Sequence, residues 1–346
     1  MNPTMQDVAK LAGVSPSTVS RVINNSSLVK EETARKVMKA IDKLDYQLND
    51  FARALRTNSS GLIGVMGAGM ENPFLAKMLK GIENEALQYN YNIIFCESEG
   101  ELEEEINYIK LLQQRKIAGL LIITANFYSK LLDVIKESGI PVVFASSYIE
   151  DPGFPSVGID NVAAAYDAVD YLFKAGRRNI GIIRGPYSDT VASRERNNGV
   201  RLAFKNNKEE LKEKAVIEAE FNLQSGYIAG ETLVKNYPEL DAVFAFSDEI
   251  AIGAIRAFED NGRKVPDDVY VLGFDNIDFS RFVSPSLTTV AQPAFEIGCK
   301  SIEILNRVID NSDYKEKILL PYKLIVREST GGKVNRLPNN KEVVVE

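Results

Sequence analysis

The hydrophobic and polar positions follow one pattern up to about residue 57 and another from residue 61 onward. In the later part, short β-branched runs alternate with segments in which apolar residues recur every three or four positions. Continuous apolar strands alternating with helices are typical of parallel sheets covered on both faces, and so predict an α/β fold. The runs that predict strands are residues 62–68, 92–98, 119–124, 141–146, 156–160, 179–185, 216–221, 241–247 and 269–275.

The strands are too numerous for one sheet of about five or six strands, so the pattern predicts two similar lobes. The segment 287–293 has the mixed character of a crossing strand, and the amphipathic segment 294–309 and the strand-like 323–329 would return to the lobes. The expected division is a first lobe of 61–160 plus about 294–322, a second lobe of 161–291 plus about 323–332, and a flexible tail at 333–346.

Residues 1–57 contain three short helical patterns and no strand pattern. A fourth, shorter helical pattern covers residues 49–56. The small polar segment TNSSG at 57–61 is typical of a linker. The pattern therefore predicts a separate all-α head before the α/β body.

The start of the head reads as two helices joined by a tight turn. Thr4 with Asp7 predicts a capped helix start, and Gly13 predicts its end. Ser15 can cap a second helix that has Pro16 at its first position, where the missing N–H costs nothing. Two helices three or four residues apart with Gly in the turn indicate a helix-turn-helix. The alternative is a plain solvated helical hairpin.

The second helix has a slim outer face that a DNA major groove could accept. If Val19 and Val22 or Ile23 are buried, the outward positions belong to small side chains and one arginine able to reach guanine O6 and N7. These outward positions are Pro16, Ser17, Ser20 and Arg21, while Ser15, Thr18 and Asn24 would serve phosphates or caps. With Thr4, they are the candidate DNA-binding residues of the head.

The charge and composition of the chain argue against several classes of protein function. The whole chain has net charge −7, yet residues 1–57 carry nine Lys/Arg against six Asp/Glu, so a mildly basic head precedes an acidic body. Histidine is absent and only Cys96 and Cys299 occur, which argues against His-based catalysis and zinc sites and predicts no cofactor. No apolar run approaches a membrane span and MNPTMQDVAK lacks a signal-peptide pattern, so we expect a cytoplasmic protein.

The string TMQDVAKLAGVSPSTVSRVINN, with KEETARKVMKAIDKLDYQLNDFARALR after it, resembles the DNA-binding head of LacI/GalR transcriptional regulators. The resemblance continues through GLIGV, VGIDN, SDEIAIG, VLGFDN, LTTVAQP and the closing P-x-x-L-x-x-R-x-S, over residues 3–330. It implies a periplasmic-binding-protein-like body of two lobes. It also implies a homodimer that binds double-stranded operator DNA and responds to a small-molecule effector.

The segment NDFARALR (49–56) is too short for a stable isolated helix, so its folding can be coupled to binding. Asn49 can cap it, and Ala52 and Leu55 lie on one face. The resemblance implies that two such hinge helices pair in the minor groove, with Leu55 as the wedge and Ala52 and Arg53 beside it. The alternative for Leu55 is a linker residue docked on the body.

Ligands of open α/β proteins bind beyond the carboxyl ends of the strands. Those ends carry hydroxyl, amide, charged and aromatic side chains that suit a polyhydroxylated ligand. The candidates are Asn72, Phe74, Ser146, Arg196, Phe221, Ser247 and Asp275. The resemblance implies that Arg196 and Asp275 are the main effector pair and that Phe221 stacks on the ligand. Ser247 and Ser146 replace an Asn and an Asp common in the family and could instead be helix caps, while Phe74 could be a core residue.

Two regulatory mechanisms remain open. In the catabolite-control branch of the family, a serine-phosphorylated carrier protein docks on the first lobe through basic residues that include an arginine. The matching position here is Glu303, which would repel a phosphate, although Lys80 and Lys300 are nearby. We therefore favour a sugar or sugar-phosphate effector over the phosphorylated carrier protein, and a repressor of a carbohydrate-utilisation operon.

Two other classes of protein share the α/β body. An extracytoplasmic sugar-binding protein would lack the helix-turn-helix head. For an enzyme, neither GxGxxG nor GxxxxGK[ST] occurs at a strand–helix junction, and no nucleophile–base pair is visible, although Asp160 and Asp275 could be imagined as acid and base. The absence of C-terminal heptads favours a dimer over a tetramer.

Overall fold

A computed structural model describes residues 3–23, 29–44, 60–67, 69, 71–98, 100–123, 129–146, 153–186, 191–332 and 343–345, the side chains of 23, 191, 192 and 343–345 excepted. The chain divides into two compact units, Met1–Ser60 and Gly61–Glu346. Among the described residues, no helix is long and apolar enough to cross a membrane.

The described part of the first unit contains three helices around a small apolar core. They are α1 (Met5–Ala12), α2 (Pro16–Ile23) and α3 (Glu31–Leu44). The capping box between Thr4 and Asp7 is present, and Gly13 ends α1 with φ +68°, a left-handed conformation that costs glycine little. The buried apolar side chains are Val8, Ala9, Val19, Val22, Val37 and Ala40. The helix-turn-helix predicted from the sequence is therefore present.

The second unit contains two sheets and their covering helices. Its strands are β1 (Leu62–Gly67), β2 (Asn92–Glu97), β3 (Gly119–Ile123), β4 (Val142–Ala145), β5 (Ser156–Gly158), β6 (Ile180–Arg184), β7 (Val216–Glu218), β8 (Ala242–Ala245), β9 (Tyr270–Asp275), β10 (Thr288–Ala291), β11 (Lys317–Leu319), β12 (Lys323–Val326) and β13 (Val343–Val345). Its helices are α4 (Pro73–Gln88), α5 (Leu102–Gln114), α6 (Ser129–Ser138), α7 (Asn161–Lys174), α8 (Val191–Asn206), α9 (Leu223–Asn236), α10 (Asp248–Asp260) and α11 (Ala294–Asp310). Short 3-10 turns occupy Glu213–Ala215, Asp278–Arg281 and Glu328–Thr330.

The first sheet has the strand order β11-β5-β4-β3-β1-β2, and its pairings are parallel. The second has the order β13-β12-β10-β9-β8-β6-β7 and is parallel except where β12 runs against β10. The inner strands of both sheets are buried under helices, as the alternating pattern predicted, whereas β2, β7 and β11 are partly exposed. The α/β class with two lobes of parallel strands is therefore confirmed.

The chain returns to the first lobe late in the sequence. Helix α11 packs against α4 so closely that a Cβ at Gly298 would lie 2.2 Å from the carbonyl oxygen of Met78. Strand β11 then joins the first sheet and β12 the second. The segment 287–293, predicted as a crossing strand, contributes β10 to the second sheet beside β9.

Two short strands were not predicted. Strand β11 (Lys317–Leu319) begins within a stretch rich in charged residues at 313–317, which interrupts the apolar pattern. Strand β13 lies within the segment expected to be a flexible tail, where Val343–Val345 pair in parallel with β12. Three consecutive β-branched residues favour extended backbone, which accounts for this difference. The rest of that tail, residues 333–342 and 346, lies outside the described residues.

Candidate functional site

Helix α2 buries one side and presents a slim polar face on the other. Val19 and Val22 are buried in the head core, whereas Pro16, Ser17 and Arg21 are exposed. Thr18 and Ser20 are half-buried between the two faces. The side chains expected to face a DNA groove are thus brought together on one helix, with Arg21 one turn beyond Ser17.

The N-terminus of α2 carries a cluster of hydroxyl groups. The Ser15 Oγ accepts a hydrogen bond from the Thr18 N–H at 3.2 Å and lies 2.7 Å from the Ser17 Oγ and 2.9 Å from the Thr18 Oγ1. Hydroxyls at the positive end of a helix dipole are suited to a phosphate oxygen. Thr4 is used differently, because its side chain bonds Asp7 at the start of α1 and lowers the pKa of that carboxyl group.

Five further candidates for DNA binding lie outside the described residues. They are Asn24, Asn49, Ala52, Arg53 and Leu55. Their roles therefore stay predictions from the sequence.

In the second unit, Arg196 lies on α8 with only 6% of its surface exposed. Its Nε donates to the Asn161 Oδ1 at 3.0 Å, and its Nη1 donates to the Phe246 carbonyl oxygen at 2.5 Å. The face of the guanidinium lies 3.7 Å from the centre of the Phe274 ring. These contacts hold the cation in place and leave Nη2 without a partner among the described residues.

Asp275 ends β9 and is 8% exposed. Its Oδ1 accepts a hydrogen bond of 2.6 Å from the Gln292 Nε2, and no described residue bonds its Oδ2. Burial raises the pKa of this carboxyl group to about 6, although Arg196 and the Gln292 hydrogen bond favour the charged form. The Asp275 Oδ2, an acceptor, and the Arg196 Nη2, a donor, therefore have no hydrogen-bond partner among the described residues.

The backbone of the turn after β9 is unusual. Asp275 has φ +115° and Asn276 has φ +55°. A backbone conformation of this kind costs a residue other than glycine about 1–3 kcal/mol. Buried Asp248 holds this turn, since its Oδ2 accepts the Ile277 N–H at 2.8 Å and its Oδ1 accepts the Thr289 hydroxyl at 2.5 Å. Burial and the neighbouring Asp275 carboxylate raise the pKa of Asp248 well above its usual value.

A second buried group holds the same turn from the other side. Arg327 is 3% exposed and donates through Nη2 to the Asn276 Oδ1 at 2.8 Å. Its Nη1 donates to the Ser280 Oγ at 3.0 Å and to the Leu287 carbonyl oxygen at 2.8 Å. The conformation at Asp275 is thus fixed by residues far away in the sequence.

Two of the expected effector residues act as helix caps. The Asn72 Oδ1 accepts the Phe74 N–H at 2.8 Å and the Leu75 N–H at 3.4 Å at the start of α4. The Ser247 Oγ accepts the Ile250 N–H at 3.2 Å at the start of α10. The helix cap that the sequence analysis gave as the alternative role of Ser247 is therefore present. The amide N–H groups of Asn72 are not used by its cap.

The remaining three expected residues are half-buried. Ser146 follows β4 with φ +63°, and its N–H donates to the Val157 carbonyl oxygen at 2.7 Å. Phe221 packs against the hydrophobic clusters on both faces of the second sheet. Phe74 packs against the core and also lines a pocket of about 530 Å³ that reaches Asp275.

That pocket spans both lobes. Its lining includes Phe74, Lys77 and Lys80 of α4, Asp275 at the end of β9, and Phe279 on the turn that follows. The Lys77 ammonium lies 3.8 Å from the Asp278 carboxylate, and both side chains are largely exposed. The lining therefore combines aromatic and charged groups of both lobes.

Sequence reasoning missed several residues that shape this site: Asn161, Asp248, Gln292 and Arg327. Asn161 bridges Arg196 to Glu195, whose carboxylate Oε2 accepts from its amide at 3.1 Å. Asp248 and Arg327 stand inside the motifs SDEIAIG and P-x-x-L-x-x-R-x-S, which were the available signal. No group of residues suited to hold a metal ion occurs in the part of the chain that the structure describes.

Comparison with known protein families covers both units. The profile described as "Bacterial regulatory proteins, lacI family" matches residues 4–49. The profile described as "Periplasmic binding proteins and sugar binding domain of LacI family" matches residues 60–328.

Individual proteins align over almost the whole chain. Catabolite control protein A of Priestia megaterium is 33% identical over 331 residues, which cover 95% of this chain and 100% of that protein. The lac repressor dimer bound to operator and the anti-inducer ONPF has a TM-score of 0.88 and 27% identity, covering 95% of this chain and 99% of that one. The complex of the transcriptional regulator CelR with cellobiose has a TM-score of 0.73 and 29% identity, covering 94% and 99%.

Proposed function

The chain belongs to the LacI family of bacterial regulatory proteins, and on that premise we propose that it represses a carbohydrate-utilisation operon by binding a palindromic operator as a homodimer. The observation that carries this proposal is the outer face of α2. Pro16, Ser17 and Arg21 are exposed together while Val19 and Val22 fill the core. A slim helix with a single arginine can enter a major groove and read a guanine.

Each subunit would read one half-site with residues 15–24 of its head. Arg21 would contact the base edge, and the hydroxyls of Ser15 and Thr18 would position the helix on phosphates. The hinge segment 49–56 would pair with its copy at the centre of the operator, with Leu55 opening a base step. This DNA-binding role also makes the cytoplasm the compartment in which we expect the protein.

The homodimer is supported by two observations. The similar lac repressor structure is a dimer on its operator. In this chain, Phe279 and Phe282 are 62% and 83% exposed on the turn that follows β9. Large exposed aromatic side chains commonly mark a protein–protein interface.

The proposed effector is a small sugar or sugar derivative held between Arg196 and Asp275. The Oδ2 of Asp275 and the Nη2 of Arg196, which have no partner among the described residues, would bond two hydroxyls, and Phe221 would cover an apolar face of the ring. The similar regulator CelR forms a complex with cellobiose. Docking of a phosphorylated carrier protein is the less favoured alternative, since Lys300 forms an ion pair of 2.5 Å with Glu303.

The test is selection of operator sites from a random DNA pool with the full chain, followed by affinity measurements. We expect a palindrome to be enriched, and Arg21→Ala to lose about 1–3 kcal/mol of discrimination between that site and a scrambled one. Lys10→Ala, a charge removal on α1, is the control for a general loss of positive charge. Equal discrimination by Arg21→Ala and the unmodified chain would refute the assignment.

A further inference from the structure

Three segments of the chain cross between the two lobes. The first leads from β5 to α7, the second from β10 to α11, and the third from β11 to β12. Residues at such crossings absorb the backbone rotation when two lobes change their angle. Contacts made at these crossings therefore influence which arrangement of the lobes is favoured.

Two of the crossings carry side chains that bond the second lobe. Asn161, the first residue of α7, accepts the Arg196 Nε–H through Oδ1 at 3.0 Å and donates to the Glu195 Oε2 at 3.1 Å. Tyr322, just before β12, donates its hydroxyl to the Asp167 Oδ2 on α7. These bonds fasten the ends of the first and third crossings to helices α7 and α8.

The second crossing carries Gln292, which lies between the proposed effector site and the first lobe. Gln292 is 8% exposed and donates through Nε2 to the Asp275 Oδ1 at 2.6 Å, at the end of β9. Its own carbonyl oxygen accepts the N–H of Ala294, the first residue of α11, at 2.9 Å. One buried residue therefore bonds both a second-lobe carboxylate and the start of a first-lobe helix.

The start of α11 is in direct contact with α4. A Cβ at Gly81 would lie 2.1 Å from the Phe295 carbonyl oxygen and 3.2 Å from the Cys299 backbone nitrogen. Backbones packed this closely cannot slide independently, because no side chain between them can change its rotamer. A displacement of the start of α11 is therefore passed on to α4.

The Asp275 carboxylate is a rigid planar group whose two oxygens move together. Oδ1 accepts the bond from Gln292, while Oδ2 has no partner among the described residues. A ligand hydroxyl that draws Oδ2 towards itself turns the whole carboxylate. This rotation changes the bond to Gln292, because a hydrogen bond depends on both its length and its angle.

We infer that Gln292 is a positioning residue that passes the occupancy of the effector site from Asp275 to α11, and so biases the arrangement of the lobes. The inference rests on the proposed sugar-responsive function and concerns how a bound effector acts on operator binding. Gln292 need not touch the effector, since it acts through the carboxylate. Removing its N–H donor should therefore weaken the response to the sugar more than the binding of the sugar.

The test compares sugar binding with the response to sugar in the full chain and its variants. Calorimetry with cellobiose, ribose and glucose first identifies a sugar that binds and the concentration that saturates each variant. The operator dissociation constant is then measured with and without that sugar, and the ratio of the two constants is the response. Gln292→Met, which has a similar size but no N–H donor, lowers the response at least about threefold.

Two variants are matched controls. Tyr322→Phe removes the hydrogen bond of another crossing, and Gln113→Met removes an amide bond of 2.9 Å to the Ser138 carbonyl oxygen within the first lobe. Both keep the response of the unmodified chain. Hydrogen exchange adds a measurement that needs no variant, since the bound sugar changes the exchange of the Ile297 and Gly298 amides in the unmodified chain at least about threefold.

An unchanged response in Gln292→Met would overturn the inference. So would an equal loss in Tyr322→Phe, because it would assign the effect to a general loosening of the crossings. If Gln292→Met no longer binds the sugar, hydrogen exchange at the start of α11 decides, and amides that the sugar leaves unchanged would overturn the inference. A chain that selects an operator and shows no operator response to any of the sugars would instead refute the sugar-responsive part of the proposed function.

Discussion

Asp275 is the residue on which the proposed effector site depends most. It stands at the carboxyl end of β9, is buried, and has a positive φ that only a well-supported turn can maintain. Its neighbour Gln292 leaves one carboxylate oxygen for a ligand. An acceptor of this kind works in its ionised form, so ligand binding should depend on the pKa of Asp275.

The expected pH dependence follows from that pKa of about 6. Above pH 7 the carboxylate is ionised and the affinity for the sugar is at its maximum. As the pH falls through 6 the acceptor is lost, so the affinity at pH 5 should be about tenfold lower than at pH 7. Calorimetry from pH 5 to pH 8 measures this change.

The carboxyl groups of Glu195 and Glu249 have a pKa of about 7. They therefore titrate about one pH unit above the fall in affinity that we assign to Asp275. Asp275→Asn is the matched control, because it cannot titrate and should bind weakly at every pH. A fall in affinity below pH 6 that persists in Asp275→Asn would assign the dependence to another group.

The turn between β9 and β10 is the element that orients Asp275. Asp248 and Arg327 hold it from opposite sides through its backbone and through the Asn276 side chain. Arg327→Lys keeps the charge but cannot reach the Asn276, Ser280 and Leu287 oxygens together. We expect it to lower the free energy of unfolding by about 1–3 kcal/mol and the sugar affinity by about tenfold.

Arg263→Lys is the matched control for this change. Arg263 also donates to backbone oxygens of the second lobe, those of Pro238 and Leu240, but lies away from the turn. Chemical denaturation should show a loss of stability in both variants, and calorimetry a loss of sugar affinity in Arg327→Lys alone. Equal sugar affinities in the two variants would show that Arg327 stabilises the fold without orienting Asp275.

The elements themselves were largely predictable from the sequence. The apolar runs of 5–7 residues located β1 to β10 and β12, with ends that differ by a few residues where a residue such as Ser247 caps the next helix. The local signals at Thr4, Gly13 and Pro16 located α1 and α2, because capping acts over three or four residues. Strand β11 was not located, because the charged residues before Ile318 interrupt the apolar pattern there.

The candidate effector site was predictable only in part. The family resemblance indicated Arg196 and Asp275, and the rule on strand ends also indicated Asp275. Neither signal indicated the residues that form hydrogen bonds with these two side chains. Asn161 lies 35 residues from Arg196 in the sequence, and Thr289 lies 41 from Asp248. Such contacts form when the fold brings distant segments together, and a single sequence carries no periodic signal for them.

At the scale of the whole molecule, different segments would carry different tasks. In the proposed function, the head selects the DNA site and the region around Asp275 and Arg196 senses the effector. A ligand that favours one arrangement of the lobes shifts the equilibrium by its difference in affinity for the two states. In a dimer the two hinge segments would then be easier or harder to pair on DNA.

The central claim is that a sugar bound at Asp275 controls binding of the operator. The most direct measurement is the operator dissociation constant of the full chain with and without saturating sugar, for the unmodified protein and for Asp275→Asn. We predict that the sugar changes operator affinity about 5- to 150-fold in the unmodified protein. Asp275→Asn should bind the operator equally well without sugar and show no change at the same sugar concentration. An equal response to sugar in both proteins, or none in the unmodified protein, would contradict the account.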